Sequence, residues 1–368
     1  MTIPLVDLQI QYHALKPEID AAIERVLESA HFILGEEVER FEAHFAELCA
    51  TQHAVGVSSG TDALILALLA CGVQPGDEVL TTPFTFTATA AAIAHVGARP
   101  VFVDVEPETC NIDPARLEAA ISQRSKVILP VHLYGHPADM EAIVAVAQRH
   151  GLLVIEDACQ AHGAVYHGRP VGSLADAACF SFYPSKNLGA YGDAGMVVTK
   201  DSAVAAKVRT LRDHGRQGKY EHVAVGYTFR LDSLQAAILD VKLAHLEEWT
   251  AARRRNAERY AGFLASTGLA LPAERPGCRA VYHCYVVRTP RRDELLNGLR
   301  AAGVSAGVHY PIPLHLQPAW QYLGYRPGDF PVAEACAKTV LSLPMYAELT
   351  EAQIAEVAGK VKEIIGAP

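Results

Sequence analysis

The chain has 368 residues, 50% of them hydrophobic and 20% charged, with a formal net charge of −9. Such a chain can bury a large core and suggests two or three domains. The negative balance argues against a face built for nucleic acid or for an anionic membrane surface. The opening Met1-Thr2-Ile3-Pro4-Leu5-Val6-Asp7 lacks the basic start and apolar run of a secretion signal. The longest apolar run, near Ala63 to Ala70, is too short to span a bilayer. Eight cysteines are scattered with no C-x-x-C pair. Cys49, Cys71, Cys159 and Cys179 sit in apolar runs, which suits free thiols in a reducing cytoplasm.

In chain order, Pro17 to Ser29 reads as a short amphipathic helix and Gly35 to Ala50 as a second. From about His53 onward, short β-branched runs alternate with helical ones. Strands are expected at Ala54–Val57, Glu78–Leu80, Pro100–Val103, Val127–Pro130, Leu152–Ile155, Ala177–Phe180 and Met196–Thr199. Helices are expected at Thr61–Cys71, Ala88–His95, Pro114–Ile121 and Ala138–His150. This alternation predicts a mostly parallel α/β sheet flanked by helices, with ligands at the carboxyl ends of the strands. Leu231 to Leu264 reads as one long helix leading to a smaller α+β domain, its run Arg253-Arg254-Arg255 a solvated face. The small domain is expected to hold strands at Tyr282–Arg288 and Ser305–His309, with helices at Arg292–Ala301, Pro331–Val340 and Thr350–Ile365. The division expected is 1–245, with a helical segment over 1–50, and 246–368.

Four clusters carry the chemistry. In Ser181-Phe182-Tyr183-Pro184-Ser185-Lys186-Asn187-Leu188-Gly189, one lysine stands among aromatic, small and uncharged residues. A partly desolvated lysine has a lowered pKa and attacks carbonyls to give Schiff bases; a surface lysine in a loop is the plain alternative. In Val57-Ser58-Ser59-Gly60-Thr61-Asp62, a strand turns through serines and a glycine into a helix. The free N–H groups of such a helix start favour a phosphate, though an ordinary capped helix reads the same way. In Thr82-Pro83-Phe84-Thr85-Phe86-Thr87-Ala88-Thr89, Phe86 could stack on a flat heteroaromatic ring or simply fill core. In Leu152-Leu153-Val154-Ile155-Glu156-Asp157-Ala158-Cys159-Gln160, an apolar strand ends in two carboxylates. Asp157 could hold a protonated pyridine nitrogen, or merely cap the next segment.

Taken together and in order, these clusters resemble the nucleotide-sugar aminotransferases of the DegT/DnrJ/StrS type, which depend on pyridoxal 5'-phosphate (PLP). The resemblance runs from about Leu5 to Leu349. Supporting signatures are Gly76-Asp77-Glu78-Val79, Pro130-Val131-His132-Leu133-Tyr134-Gly135, Leu211-Arg212-Asp213-His214-Gly215, Arg230-Leu231-Asp232 and His309-Tyr310-Pro311. It implies the fold-type-I PLP transferase architecture. It implies that Lys186 forms the Schiff base with the cofactor and later moves the proton, and that Asp157 pairs with the ring nitrogen. It implies Gln160 at the ring edge, Phe86 on the ring face, and Gly60, Thr61 and Ser181 on the phosphate. Thr228 stands where the family usually has an asparagine that reaches the partner subunit's phosphate site, so a homodimer is implied. Tyr183, His309, Tyr310 and His315 are implied on the substrate side.

The activity expected is transfer of an amino group from an amino acid, first of all L-glutamate, to a nucleotide-linked keto-sugar at C3 or C4. A PLP-dependent sugar dehydratase of the same fold is disfavoured, because such relatives carry histidine in place of the lysine. A non-catalytic binding or regulatory protein on this fold is the alternative of another class. His132 and His136 have metal-ligand spacing but no evident third ligand, so no metal is expected. No G-x-G-x-x-G follows a strand, so no nicotinamide site is expected either.

Overall fold

A computed structural model describes residues 2–366. The first helix, α1 (Leu8–Ser29), begins well before the expected Pro17. Asp7 explains the early start: its Oδ1 accepts from the Gln9 and Ile10 amides and caps the helix. Pro17 lies inside the helix rather than at its first turn. The second helix, α2 (Glu36–Leu48), follows.

Seven strands then build the central sheet: β1 (His53–Val57), β2 (Glu78–Thr81), β3 (Arg99–Phe102), β4 (Ser125–Ile128), β5 (Leu153–Asp157), β6 (Ala177–Ser181) and β7 (Gly195–Thr199). Their spatial order is β1-β7-β6-β5-β4-β2-β3. All are parallel except β7, which runs antiparallel to β1 and β6. The sheet is therefore mostly parallel, as the alternation of runs predicts.

Strand periodicity splits each apolar run between the two faces of the sheet. Leu80, Ile128, Val154 and Val198 pack into one core with Phe41 and Phe45 of α2 and with Met140, Ile143 and Ala147 of a helix over Met140–His150. Val79, Val127, Ile155 and Val197 face the other way. They meet α3 (Gly60–Ala70), α4 (Thr87–His95) and a helix over Ser202–Arg212. Helix α3 is buried on nearly every side, which is why its sequence is apolar all round.

The expected long helix is two: Ser233–Leu243 and Leu246–Leu264, with a break at Ala244-His245. Its basic run is not a solvated face. Arg253 is buried and donates to the Tyr282 and Met345 carbonyls, and Arg254 pairs with Glu274. Only Arg255 stands exposed. The guanidinium stem fills core while its head satisfies carbonyls that no backbone amide reaches.

The C-terminal part has its own core, drawn from Tyr260, Tyr285, Leu295, Leu341, Val357 and Val361. Its strand Tyr285–Arg288 pairs antiparallel with Val340–Leu343. Of that second strand only Val340 fell in an expected element, as the end of a helix, while Ser305–His309 forms a single isolated bridge at its rim, Gly307 to Ser342. Short apolar runs do not distinguish strand from helix by periodicity, and pairing to Tyr285–Arg288 decides this one. Ile3 belongs to this core too, bonded through its amide and carbonyl to Gly303 and Ser305. We place the division between the two parts at the 244–245 break, with the first few residues returning to the C-terminal side.

Candidate active site

Where β5 and β6 end, the polar residues converge on one cleft of ≈ 500 Å³. It is lined by Gly60, Thr61, Phe86, Asp157, Gln160, Ser181, Tyr183, Lys186, His309 and Tyr310, among others.

Strand alternation sorts the two carboxylates ending β5. Glu156 turns inward and is fully buried, accepting from the Gly172 and Leu174 amides at 3.0 and 2.9 Å and from His132 Nε2 at 3.0 Å. Asp157 turns to the cleft. Its Oδ2 accepts from Thr89 Oγ1 at 2.7 Å and its Oδ1 from the Cys159 amide at 3.3 Å.

Lys186 follows β6 in a turn in which its amide donates to the Tyr183 carbonyl. Desolvation holds its amine below the ordinary lysine value, partly opposed by the Cys159 and Cys284 thiols and the Asp157 carboxylate. Those thiols are themselves pushed up by burial. A fraction of neutral amine facing a carboxylate at another strand end is what nucleophilic and general-base work needs.

The start of α3 forms a cradle. Ser59 caps the helix, its Oγ accepting from the Asp62 amide, and Ser58 and Ser59 both donate to Asp62. A Cβ on Gly60 would lie 2.5 Å from Ser181 Cβ, so only glycine lets the helix start approach the end of β6. Gly195 does the same on β7, where a Cβ would lie 2.3 Å from the Ser59 carbonyl oxygen. The first amides of α3 and the Ser181 hydroxyl thus share one concavity, suited to a phosphate. Phe86, the residue before α4, is 55% exposed and presents its ring to the cleft. A phosphate cradle, an exposed aromatic face, a carboxylate and a desolvated amine around one cleft fit a phosphorylated pyridine aldehyde such as PLP.

Gln160 spends its amide inside the wall. Its Oε1 accepts from the Tyr134 amide at 2.7 Å, and its Nε2 donates to the Tyr310 hydroxyl at 3.2 Å. The 309–316 loop is tied down further by the Tyr134 hydroxyl, which donates to the His309 carbonyl, and by the Leu314 amide on Pro83. His309 bonds Ser342 at 2.8 Å, and burial, helped by Lys186, lowers its pKa.

Two sequence-proposed residues lie elsewhere. His315 is 1% exposed, bonded to Glu334 at 3.1 Å and packed on Phe330. The 309–316 loop turns its second half inward, so His315 does not line the cleft. Thr228 is exposed beside His214, away from its own chain's cleft. His132 and His136 are spent on structural bonds, His136 between the Pro137 carbonyl and the Arg275 amide. Among the described residues no group of three or more His, Cys, Asp or Glu clusters as a metal site.

Sequence reading missed His283 and Thr89. Asn187 Nδ2 donates to the Val281 carbonyl at 2.9 Å, which turns its Oδ1 to His283 Nδ1 at 3.3 Å. This network assigns the proton to Nδ1 and leaves the Nε2 lone pair for the cleft that the ring lines. Burial, then Lys186, holds this imidazole well below the ordinary histidine value. A histidine opening an apolar strand is the only local signal for it, and core histidines give the same signal.

Residues 13–362 match the DegT/DnrJ/EryC1/StrS aminotransferase family, and the chain belongs to it. Over 366 residues it is 51% identical to a "Pleiotropic regulatory protein" of Geobacillus stearothermophilus, covering 99% of this chain and 98% of that one. It is 48% identical over 364 residues to a dTDP-3-amino-3,4,6-trideoxy-alpha-D-glucose transaminase of Streptomyces venezuelae, covering 98% and 96%. The crystal structure of S. venezuelae DesV in complex with a ketimine intermediate matches with a TM-score of 0.98 at 46% identity, covering 100% and 99%.

Proposed function

We propose that this protein is a PLP-dependent aminotransferase that moves an amino group from an amino acid, L-glutamate first, to the ketone of a nucleotide-linked sugar. The observation that carries it is the desolvated Lys186 amine sharing one cleft with Asp157 and a glycine-opened helix start. C3 is the favoured carbon, by analogy with the S. venezuelae relative's name.

PLP, when bound, supplies an electron sink for the substrate carbon. Lys186 Nζ is the nucleophile that anchors it, and the base that takes and returns the substrate proton. Asp157, lining the cleft, would accept a hydrogen bond from the protonated ring nitrogen. The Gly60 and Thr61 amides and the Ser181 hydroxyl would hold the phosphate, and Phe86 would cover one ring face. Gln160 acts at the ring edge by holding Tyr310 rather than as a free donor. Tyr183, His309 and Tyr310 bound the substrate side, and the tied 309–311 segment helps exclude water. In a homodimer, Thr228 would complete the partner's phosphate site.

The chain's eight cysteines are all unpaired, and no described helix is long and apolar enough to cross a membrane. We place the protein in the cytoplasm on the thiols.

The test is an absorbance scan of the PLP-loaded protein before and after L-glutamate. Loss of the visible band, and its return with a 3-keto nucleotide sugar, is expected. Lys186→Ala should keep the fold by circular dichroism and lose turnover; near-wild-type turnover would overturn the assignment. The Geobacillus relative's regulatory name favours a second, non-catalytic reading. Protein that shows no band even with added PLP would select it.

A further inference from the structure

Asp157 does not stand alone at the end of β5. Thr89, in the first turn of α4 and 68 residues away in sequence, places its Oγ1 2.7 Å from Asp157 Oδ2. Thr85, in the turn before α4, places its own Oγ1 3.2 Å from that of Thr89. All three residues line the cleft yet are nearly withdrawn from solvent: Thr85 is 3% exposed, Thr89 1% and Asp157 5%. Few other partners reach these hydroxyls, so the direction of the chain follows from chemistry. A carboxylate only accepts hydrogen bonds. Thr89 must therefore give its one proton to Asp157, and Thr85 must give its proton to Thr89.

Two consequences follow. Asp157 Oδ2 is fixed by Thr89, and Oδ1 takes the Cys159 amide at 3.3 Å, so the carboxylate has little freedom to rotate. The same two hydroxyls flank Phe86, which stands between them in the chain as the residue before α4. The carboxylate proposed for the ring nitrogen is thereby tied to the short 85–89 segment that carries Phe86, whose carbonyl accepts from the Thr89 amide at 3.3 Å.

We propose that Thr89, itself oriented by Thr85, is a positioning residue that holds the Asp157 carboxylate in register with Phe86. The inference rests on the PLP reading above. It concerns no contact between either threonine and the substrate.

The experiment compares Thr89→Val, which keeps the shape and deletes the hydroxyl, with Thr89→Ser, which keeps the hydroxyl. Both are measured as PLP-loaded full-length protein. A hydrogen bond to a charged group is worth enough for a change of about 10- to 100-fold when lost. Thr89→Val should slow the glutamate half-reaction by about that factor, with the KM for glutamate little changed. It should also weaken PLP affinity, read by titrating cofactor into stripped protein, and alter the pH dependence of the visible band. Thr89→Ser should recover all three, and Thr85→Val should give a smaller version of the same defect.

Equal behaviour of Thr89→Val and Thr89→Ser would overturn the proposal. So would a Thr89→Val defect confined to melting temperature. If Thr89→Val fails to fold, Thr85→Val and Thr89→Ser carry the comparison, and a Thr85→Val protein with wild-type affinity and rate would refute the relay. Should the wild type itself neither bind PLP nor respond to glutamate, the enzyme reading falls and this inference with it, an outcome separable from the others because it precedes any mutation.

Discussion

Glu156 and Asp157 are neighbours of the same chemistry with opposite uses. The pleat sends one into the body of the protein and one into the cleft. All three partners of Glu156 are donors, so Glu156→Gln would set an amide NH2 against at least one of them. We expect it to cost about 1–3 kcal/mol in urea unfolding, the usual cost of leaving buried polar groups unpaired. Asp157→Asn should cost less, because its Oδ1 can keep the Cys159 amide while the Thr89 hydroxyl turns to accept from Nδ2, but it should cut glutamate turnover by orders of magnitude, because an amide is a poor partner for a protonated ring nitrogen. A matched loss of stability in both variants would show that the two carboxylates share one structural role. At the helix start, Gly60→Ala would push a methyl to 2.5 Å from Ser181 Cβ. The expected result is weaker PLP binding by titration, with the far-ultraviolet spectrum retained.

The helix over Ser233–Leu243 supports the turn that carries Lys186. Lys242 on that helix is buried, donates to the Gly189 carbonyl and lies 5.0 Å from the centre of the Tyr191 ring. Burial lowers its pKa to about 8, opposed by Glu348. The unfolded chain keeps that proton up to the ordinary value of 10.5. Between the two values the unfolded state binds more protons than the native one, so stability rises with pH from about 8 to about 10. Burial of tyrosines such as Tyr285 acts in the opposite sense above that range, since their phenols are pushed up and must stay protonated in the fold. Lys242→Met should flatten the rise in melting temperature across this window; an unchanged slope would assign it to other groups. The buried pair Glu42–Arg212 plays a comparable supporting part, with Glu42 on α2 also accepting from the Gly56 amide of β1 at 2.7 Å.

At the scale of the molecule, one side carries apolar residues that the chain itself leaves open. Tyr220 is 81% exposed and Val225 95%, on the excursion that holds the 216–222 hairpin. Thr228 lies close behind them. A homodimer that covers this excursion would bring Thr228 to the other subunit's cleft. Sedimentation should show a dimer, and mixing tests the sharing directly. Lys186→Ala and Thr228→Asp should each be poorly active alone, the second because its charge repels the phosphate. Heterodimers refolded from both should recover activity, since one of their two clefts would hold both native residues. No recovery would place Thr228 outside the partner's site.

Much of this was legible in the sequence because it is local. Apolar runs of four or five residues between helical stretches specify a parallel sheet, and the polar clusters fall where those runs end. Lys186, Asp157, Gly60, Ser181 and Phe86 each lie at such an end and so meet in one cleft. What the tertiary structure alone decided is pairwise and distant. Thr89 meets Asp157 across 68 residues, and Asn187 meets His283 across 96. His315 was misplaced, Arg253 was read as solvated, and the strand Val340–Leu343 went unread beyond a helix end at Val340, because in each case a partner elsewhere in the chain sets the outcome. A side chain's type and its spacing fix what it can do and which face of its own element it takes; which distant element covers that face is set by how the layers pack, and no local preference encodes it.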